Sequence, residues 1–406
     1  MDTSNRIKSI LVLTSTFPRW ANDTDPPFVM ELSRRLVKEN IKVDILAPHA
    51  KGAKQKEIMR GMTVYRYRYF IDKWEQLAYA GGILANLKKN KFLYFLVPFF
   101  LISQTIAILK LIKNNNYDLI HAHWLIPQGL LAVLVSRLFD KDCPKILCTS
   151  HGGDLFAFQS SLFLKVKKSI LNHCDGVTVV SNYMRDICLQ IINIDEKLHV
   201  CPMGVDLVST FKPVEKIERD DNTILFVGRL VEKKGVVILL DAIKILAQEY
   251  PDIELLIIGD GPERDKLEER CEVLNITDSV KFKGALNQEQ LPEIYSQATM
   301  AVIPSIIDSR NDQEGLGLVA IEAMGCGAAV IISALPAVLD IVEDGVNGIL
   351  VQPGNAKDLA EAIKNLLVDK NTREIIASRA RQSVIEKFDW QVAVKKYLTV
   401  IESICE

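Results

Sequence analysis

The chain of 406 residues has no surplus of either charge: 49 Lys and Arg stand against 51 Asp and Glu, for a net charge of -2. That balance gives no global attraction for nucleic acid, so any anion site must be local. The eight cysteines form no C-x-x-C pair, and several fall inside apolar runs such as 145–150, which marks them as reduced core residues. There is no solenoid repeat and no low-complexity tract. Positions 1–6 are polar and lead straight into a strand, so no secretory signal is expected and the protein is placed in the cytoplasm. The turn DSRND at 308–312 has no Asp-x-Asp pair, and His121 and His123 lack a third ligand at zinc spacing. Metal is therefore expected at neither place.

Against those absences stand 49% hydrophobic and 25% charged residues, ordinary values for a folded protein. The length suits two domains of about 200 residues each. Short apolar runs alternate with helix-length amphipathic stretches throughout, the pattern of parallel sheets with crossover helices. In the first half the spacing predicts strands at 7–13, 42–46, 62–68, 118–121, 145–150, 176–180 and 198–201. A helix is predicted at 28–39, with Val29, Leu32, Leu36 and Val37 on one face. Between 205 and 222 periodicity gives way to charge and a proline, which reads as a linker between a first domain, 1–204, and a second, 223–387. The pattern then restarts, with strands at 223–227, 254–258, 280–282, 300–303 and 328–332. Beyond 356 only helices are expected, and the last, about 388–406, can pack back on the first domain. Open sheets of this kind bind ligands at the carboxyl ends of their strands.

The apolar run FLYFLVPFFLISQTIAILKLI at 92–112 is long enough to be considered for a membrane span, but a span would put its flanking strands on opposite sides of a bilayer. Two readings stand: a buried helix, or a helix on the membrane surface, favoured by Lys88, Lys89 and Lys91 before it and Lys110 and Lys113 at its end.

Chemistry is carried by the loops. After strand 223–227 comes GRLVEKKG, whose Arg229 and Lys234 and free backbone N–H groups suit a diphosphate, with a plain basic turn as the alternative. The turn GDGP, with Gly259 and Gly261, permits close approach but lacks the third glycine of a dinucleotide fingerprint. The stretch EGLGLVAIEAMGCG sets Glu314 and Glu322 around a helix start, where the amides of Gly315, Leu316, Gly317 and Leu318 are open to hydroxyls or phosphate. Glu322 can accept two ribose hydroxyls. In the first half His151 follows a strand in HGGD, with Asp154 beside it, and is either a site residue or structural.

Together DPPFVMELSRRL, HGGD, VSNYMRD, PMGVD, VGRLVEKKG, IIGDGPER, EGLGLVAIEAMGCGAAVI and EDGVNGILVQPG resemble the retaining family-4 glycosyltransferases, glycosyl transferases group 1. The resemblance implies the GT-B fold, an α/β architecture of two facing Rossmann-like doubly wound domains with a cleft between them. It implies that Arg229 and Lys234 hold the donor diphosphate, that Glu322 binds the nucleotide ribose, and that Glu314 and the following amides face the donor sugar. His151 would contact that sugar near the reacting carbon, and Asp154 would orient the acceptor. The reaction implied is metal-independent transfer of a hexosyl-type sugar from a UDP- or GDP-sugar, with retention, to a hydroxyl acceptor. The aromatic and apolar character of 65–112 favours a lipid-linked or cell-surface glycan precursor and a peripheral place at the inner face of the membrane. A nucleotide-sugar epimerase on the same fold and a non-catalytic donor-binding subunit are the rivals. One departure is the first strand-to-helix loop, FPRWANDTDPPF at 17–28, which lacks the Gly-Gly pair of many members.

Overall fold

The computed structural model describes residues 7–20, 23, 28–79, 81–139, 143–157, 159–309 and 312–406. Parts of the 17–28 loop (21–22 and 24–27) and of the 308–312 turn (310–311) lie outside the described residues, as do the polar positions 1–6. Two compact units divide the chain, the first made of 1–180, 184–203 and 394–406, the second of 181–183 and 204–393.

The first unit has strands β1 (Ser9–Leu13), β2 (Lys42–Pro48), β3 (Lys56–Met59), β4 (Met62–Tyr67), β5 (Leu119–His123), β6 (Lys145–Ser150), β7 (Gly176–Val179) and β8 (Leu198–Val200). They form one sheet in the order β3-β4-β2-β1-β5-β6-β7-β8, parallel except for the β3–β4 pair. The apolar runs explain the topology. β1 is SILVL with every residue buried, so both of its faces are covered, as only crossover helices on both sides of a parallel sheet achieve. β3 carries no signal in the sequence because KEIM has no apolar run: it is an edge strand, half exposed.

The second unit holds β9 (Thr223–Val227), β10 (Glu254–Ile258), β11 (Val280–Gly284), β12 (Met300–Ile303), β13 (Ala329–Ser333) and β14 (Ile349–Val351). Their order, β11-β10-β9-β12-β13-β14, is the 3-2-1-4-5-6 order of dinucleotide-binding sheets, and every pair is parallel. Its core gathers Ile224 and Phe226 of β9, Ile257 of β10, Met300 of β12 and Leu239 and Ile243 of the helix Val236–Leu246. The strand order reverses between β9 and β12, where loops leave in opposite directions and open a crevice. The first sheet reverses likewise between β1 and β5.

Residues 205–222 are not a free linker. Leu207 and Phe211 are fully buried, and a side chain at Gly325 would strike both Leu207 Cδ2, at 2.4 Å, and the Phe211 carbonyl, at 2.8 Å. Arg219 donates to the carbonyl of Gly327 at 2.9 Å, and Val214 N–H donates to Ser296 Oγ at 3.0 Å. The proline and charges that break periodicity here belong to an irregular strap packed on the second unit. In the last helix, Trp390–Cys405, residues from 394 onward belong to the first unit, where Tyr397 Oη donates to the Cys201 carbonyl at 3.0 Å.

The apolar run 92–112 becomes a 3-10 turn, Lys91–Leu96, followed by a helix, Val97–Asn114, with Pro98 in its first turn where a missing N–H costs nothing. By length and composition it could cross a membrane. It does not span one, because β4 before it and β5 after it lie in the same sheet. Nor is it a buried helix, the first of the two readings: Leu96, Phe100, Gln104, Ile108 and Ile112 turn inward, a stripe one residue wide.

Because Phe211 is core and not linker, Phe211→Ala should lower the unfolding free energy by about 3–5 kcal/mol, against less than about 0.5 for a residue in a true linker. Urea denaturation of the full chain, followed by the signal of the second unit, checks this.

Candidate functional site

Unit by unit, the residues singled out from sequence fall at carboxyl ends of strands. In the second unit the loop after β9 runs through Arg229 and Lys234 to Gly235, and the loop after β12 runs from Pro304 to Gly317. These are the two loops that flank the reversal point. They are strapped together: Ile306 N–H donates to the Lys233 carbonyl at 2.9 Å, Lys233 Nζ lies 3.3 Å from Asp312 Oδ1, and Ser309 Oγ donates to Glu232 Oε2 at 2.8 Å. Lys234 Nζ sits 2.8 Å from Glu314 Oε1, with both side chains largely shielded. Burial alone would raise the Glu314 carboxyl, but Lys234 and then Lys233 outweigh it and hold it below its ordinary value. Glu314 is therefore an anion at neutral pH, and Lys234 a cation beside it.

Arg229 stands differently. It is exposed, and its side chain has no partner among the described residues. A guanidinium left in solvent on the same loop as a shielded lysine is available to an anion.

The helix Leu318–Gly325 begins at Gly317, whose φ of 92° puts it in the left-handed region that glycine adopts without strain. No side chain caps this helix among the described residues, so its first amides stay open. Four residues in, Glu322 accepts a hydrogen bond from Tyr295 Oη at 3.2 Å. Burial pushes its carboxyl up to about 7, against the opposing pulls of the Tyr295 hydroxyl and Lys234. Gly261 has a structural part in the same crevice. A Cβ there would lie 2.3 Å from the Leu230 carbonyl, and Leu230 N–H in turn donates to the Asp260 carbonyl at 3.0 Å. Gly261 thus lets the loop after β10 close on the loop that carries Arg229.

In the first unit β5 and β6 run parallel with His123 opposite Thr149, one residue short of Ser150 and two short of His151. His121 and His123, two apart on one strand, share a face. His121 Nε2 lies 2.7 Å from Thr149 Oγ1, and His123 Nδ1 lies 2.9 Å from His151 Nε2, the two rings stacking at 5.2 Å. His151 also meets the rings of Phe28, at 4.9 Å, and Trp124, at 5.0 Å. Burial pushes the His151 imidazole down to about 3, with His121 adding to the shift, and burial lowers His121 to about 3 and His123 well below its ordinary value. All three are neutral at physiological pH. In a neutral imidazole one nitrogen donates and the other accepts, so the His123–His151 hydrogen bond couples the tautomers of the two rings. Sequence alone gives His123 no part beyond a rejected zinc site; the signal was the H-x-H alternation at a strand end beside His151.

Asp154 corrects an expectation. It does not stand ready for the acceptor: it is buried, Ser150 Oγ donates to its Oδ1 at 2.8 Å, and Leu125 N–H donates to its Oδ2 at 2.6 Å. Its carboxylate braces the turn after β5 against the end of β6 and is not presented outward. Burial raises its carboxyl while those hydrogen bonds oppose the shift.

A parallel sheet in dinucleotide-binding order, with paired and free cations and an uncapped helix start at its reversal point, defines an α/β protein with a crevice suited to a phosphorylated ligand. Comparison with known proteins narrows this class. A family described as glycosyl transferases group 1 matches residues 208–383, and one described as glycosyltransferase family 4 matches residues 27–209. The chain belongs to the group 1, family-4 type of glycosyltransferase, transferases of glycan biosynthesis that use nucleotide sugars. It is 27% identical over 372 residues to an uncharacterized glycosyltransferase of Methanocaldococcus jannaschii, covering 87% of this chain and 93% of that one. It is also 27% identical over 299 residues to the phosphatidyl-myo-inositol mannosyltransferase of Mycolicibacterium smegmatis, covering 73% of each. The solved structure of sucrose-phosphate synthase from Thermosynechococcus elongatus matches with a TM-score of 0.80 at 24% identity over 98% of each chain. That likeness is one of fold, and the fold class is GT-B.

A carboxyl group near 7 in a nucleotide-sugar enzyme gives a pH signature. Glu322 accepts hydroxyl hydrogen bonds best as a carboxylate, which it becomes as pH rises through about 7. The KM for the donor should fall severalfold from about pH 6 to about pH 8 in the natural protein, and the fall should disappear in Glu322→Gln. His151, already neutral in that range, contributes no limb to the profile.

Proposed function

We propose that this protein is a retaining, metal-independent hexosyltransferase that moves a sugar from a UDP- or GDP-sugar to a hydroxyl of a lipid-linked acceptor. The observation that carries the reading is the charge arrangement in the second unit: Arg229 exposed and without a partner among the described residues, Lys234 held by Glu314, and the open amides of 315–318. A diphosphate satisfies the cations and amides together, and Glu322 takes the ribose hydroxyls. Glu314, fixed as an anion by Lys234, accepts from hydroxyls of the donor sugar.

The chemistry follows from where charge develops. The bond from the anomeric carbon to the β-phosphate oxygen breaks, and the acceptor oxygen bonds to that carbon on the same face. The acceptor proton passes to an oxygen of the departing diphosphate. Arg229 and Lys234 stabilise the charge that grows on the diphosphate, a part that in other enzymes falls to a metal. Beside His151 the nearest acid in sequence, Asp154, has both oxygens engaged, which disfavours a covalent glycosyl-enzyme route. His151 acts as a neutral hydrogen-bonding group to the sugar, oriented by His123. The acceptor class is supported by the exposed apolar segment of the first unit and by the phosphatidyl-myo-inositol in the name of the mycobacterial relative.

Turnover of purified protein with UDP-, GDP- and ADP-sugars, a lipid extract as acceptor and EDTA present, tests the reading. Acceptor-dependent release of one nucleoside diphosphate is expected, with the anomeric configuration of the donor kept in the product by NMR. Inversion, or activity that EDTA abolishes, overturns the mechanism. Arg229→Ala should lower kcat/KM by about 100-fold or more without loss of thermal stability, since the side chain holds no partner among the described residues.

A further inference from the structure

The helix that follows the 3-10 turn 91–96 inverts the usual order of a surface helix. Over its first turns the outward residues are apolar: Phe99 is 38% exposed, Ile102 58% and Ile106 47%, and Phe95 of the preceding turn, 58% exposed, continues the three-to-four spacing. The turn before it adds Phe92, 86% exposed, and Tyr94, 60% exposed. A separate segment completes the face. Phe70 packs its ring 5.3 Å from Phe99 and 6.1 Å from Phe95, and Trp74, 48% exposed, stands 5.9 Å from Phe70. Single exposed apolar side chains are ordinary, but a contiguous cluster from two chain segments is not.

Charge identifies what covers it. Between Gln76 and Tyr117 the chain carries Lys88, Lys89, Lys91, Lys110 and Lys113 and not one acid. All five lysines are exposed, as is Lys73 beside Trp74. The acids that bound this stretch are already used: Asp72 pairs with Arg68, Glu75 is buried with its Oε2 2.5 Å from His49 Nδ1, and Asp118 Oδ2 accepts from the N–H groups of Lys8 and Ser9 at 2.8 and 2.9 Å. Lys88, Lys89 and Lys91 precede the aromatic turn and Lys110 and Lys113 close the far end of the helix, so cations flank an apolar strip along its length. A protein partner would need acids set at both ends of an apolar groove. An anionic bilayer offers apolar depth under a continuous negative surface, and aromatic rings with lysine stems suit its headgroup boundary.

We propose that the face formed by Phe92, Tyr94, Phe95, Phe99, Ile102 and Trp74 docks the first unit on an anionic lipid bilayer, lying in the interface and not crossing it. Docking needs neither donor nor acceptor and therefore stands apart from the transfer reaction proposed above, although it would bring a lipid-linked acceptor to the enzyme.

The full chain should float with phosphatidylcholine vesicles that contain about a third phosphatidylglycerol, at least about tenfold more strongly than with phosphatidylcholine alone, and high salt should weaken that binding. Phe92→Glu with Phe95→Glu should abolish flotation, and Lys88→Ser, Lys89→Ser and Lys91→Ser together should weaken it about tenfold or more on anionic vesicles. Thermal stability and nucleotide-sugar binding, which belong to the fold and to the second unit, should be unchanged in both. Equal flotation of the Glu variant, or self-association in sedimentation that this variant removes while the natural protein ignores vesicles, overturns the proposal. Flotation as expected with no transfer to any lipid upholds docking and refutes only the lipid acceptor.

Discussion

A parallel sheet covered by helices on both faces leaves polar chemistry only one place to go, the ends of its strands. In the second unit that constraint acts at the junction of β9 and β12, where the chain reverses its winding and two loops part. The Lys234–Glu314 pair bridges those loops. It settles two things at once. It keeps a shielded carboxylate ionised, and it holds a lysine at the crevice, so that the site is polarised before any ligand arrives. The neighbouring straps from Lys233 and Glu232 hold both loops to one geometry, and Gly261 lets a third loop close beneath them.

The first unit uses the same constraint with opposite electrostatics. Its strand ends gather three imidazoles that burial keeps neutral: His121 lies tilted against His123, and His123 is stacked on His151 and hydrogen-bonded to it. Neutral rings cost less to bury than charged ones and still offer a donor and an acceptor. Asp154, the acid beside them, is spent on fixing the turn that carries Trp124 and Leu125. At the strand ends, then, the second unit holds the Lys234–Glu314 ion pair and the first a group of neutral rings.

The helix 97–114 shows what happens when the pattern that builds a core is not used for one. Its sequence is apolar over more than one face; a single stripe is fully buried, the residues beside it are half-buried, and Phe99, Ile102 and Ile106 are left in solvent. The flanking charge, of one sign from Gln76 to Tyr117, distinguishes this face from merely poor packing.

Much of this is legible in the residues alone. Alternation of apolar runs and amphipathic stretches specifies two doubly wound units, because buried parallel strands must be continuously apolar; the loops GRLVEKKG and EGLGLVAIE declare themselves because glycine, cation and acid have few other reasons to cluster after a strand. Contacts between distant residues are another matter. The 205–222 stretch has the composition of a linker, yet Leu207 and Phe211 fill a space beside Gly325 more than a hundred residues away. Asp154 looks like any acid after a strand until Ser150 and Leu125 occupy it. His123 gains its meaning only when β5 and β6 align it with His151, and Phe70 and Trp74 join the apolar helix only because the fold returns them to it. Periodicity and motif are local and survive in a string of letters. Burial, pairing and the choice of face are set by neighbours that only the folded chain supplies.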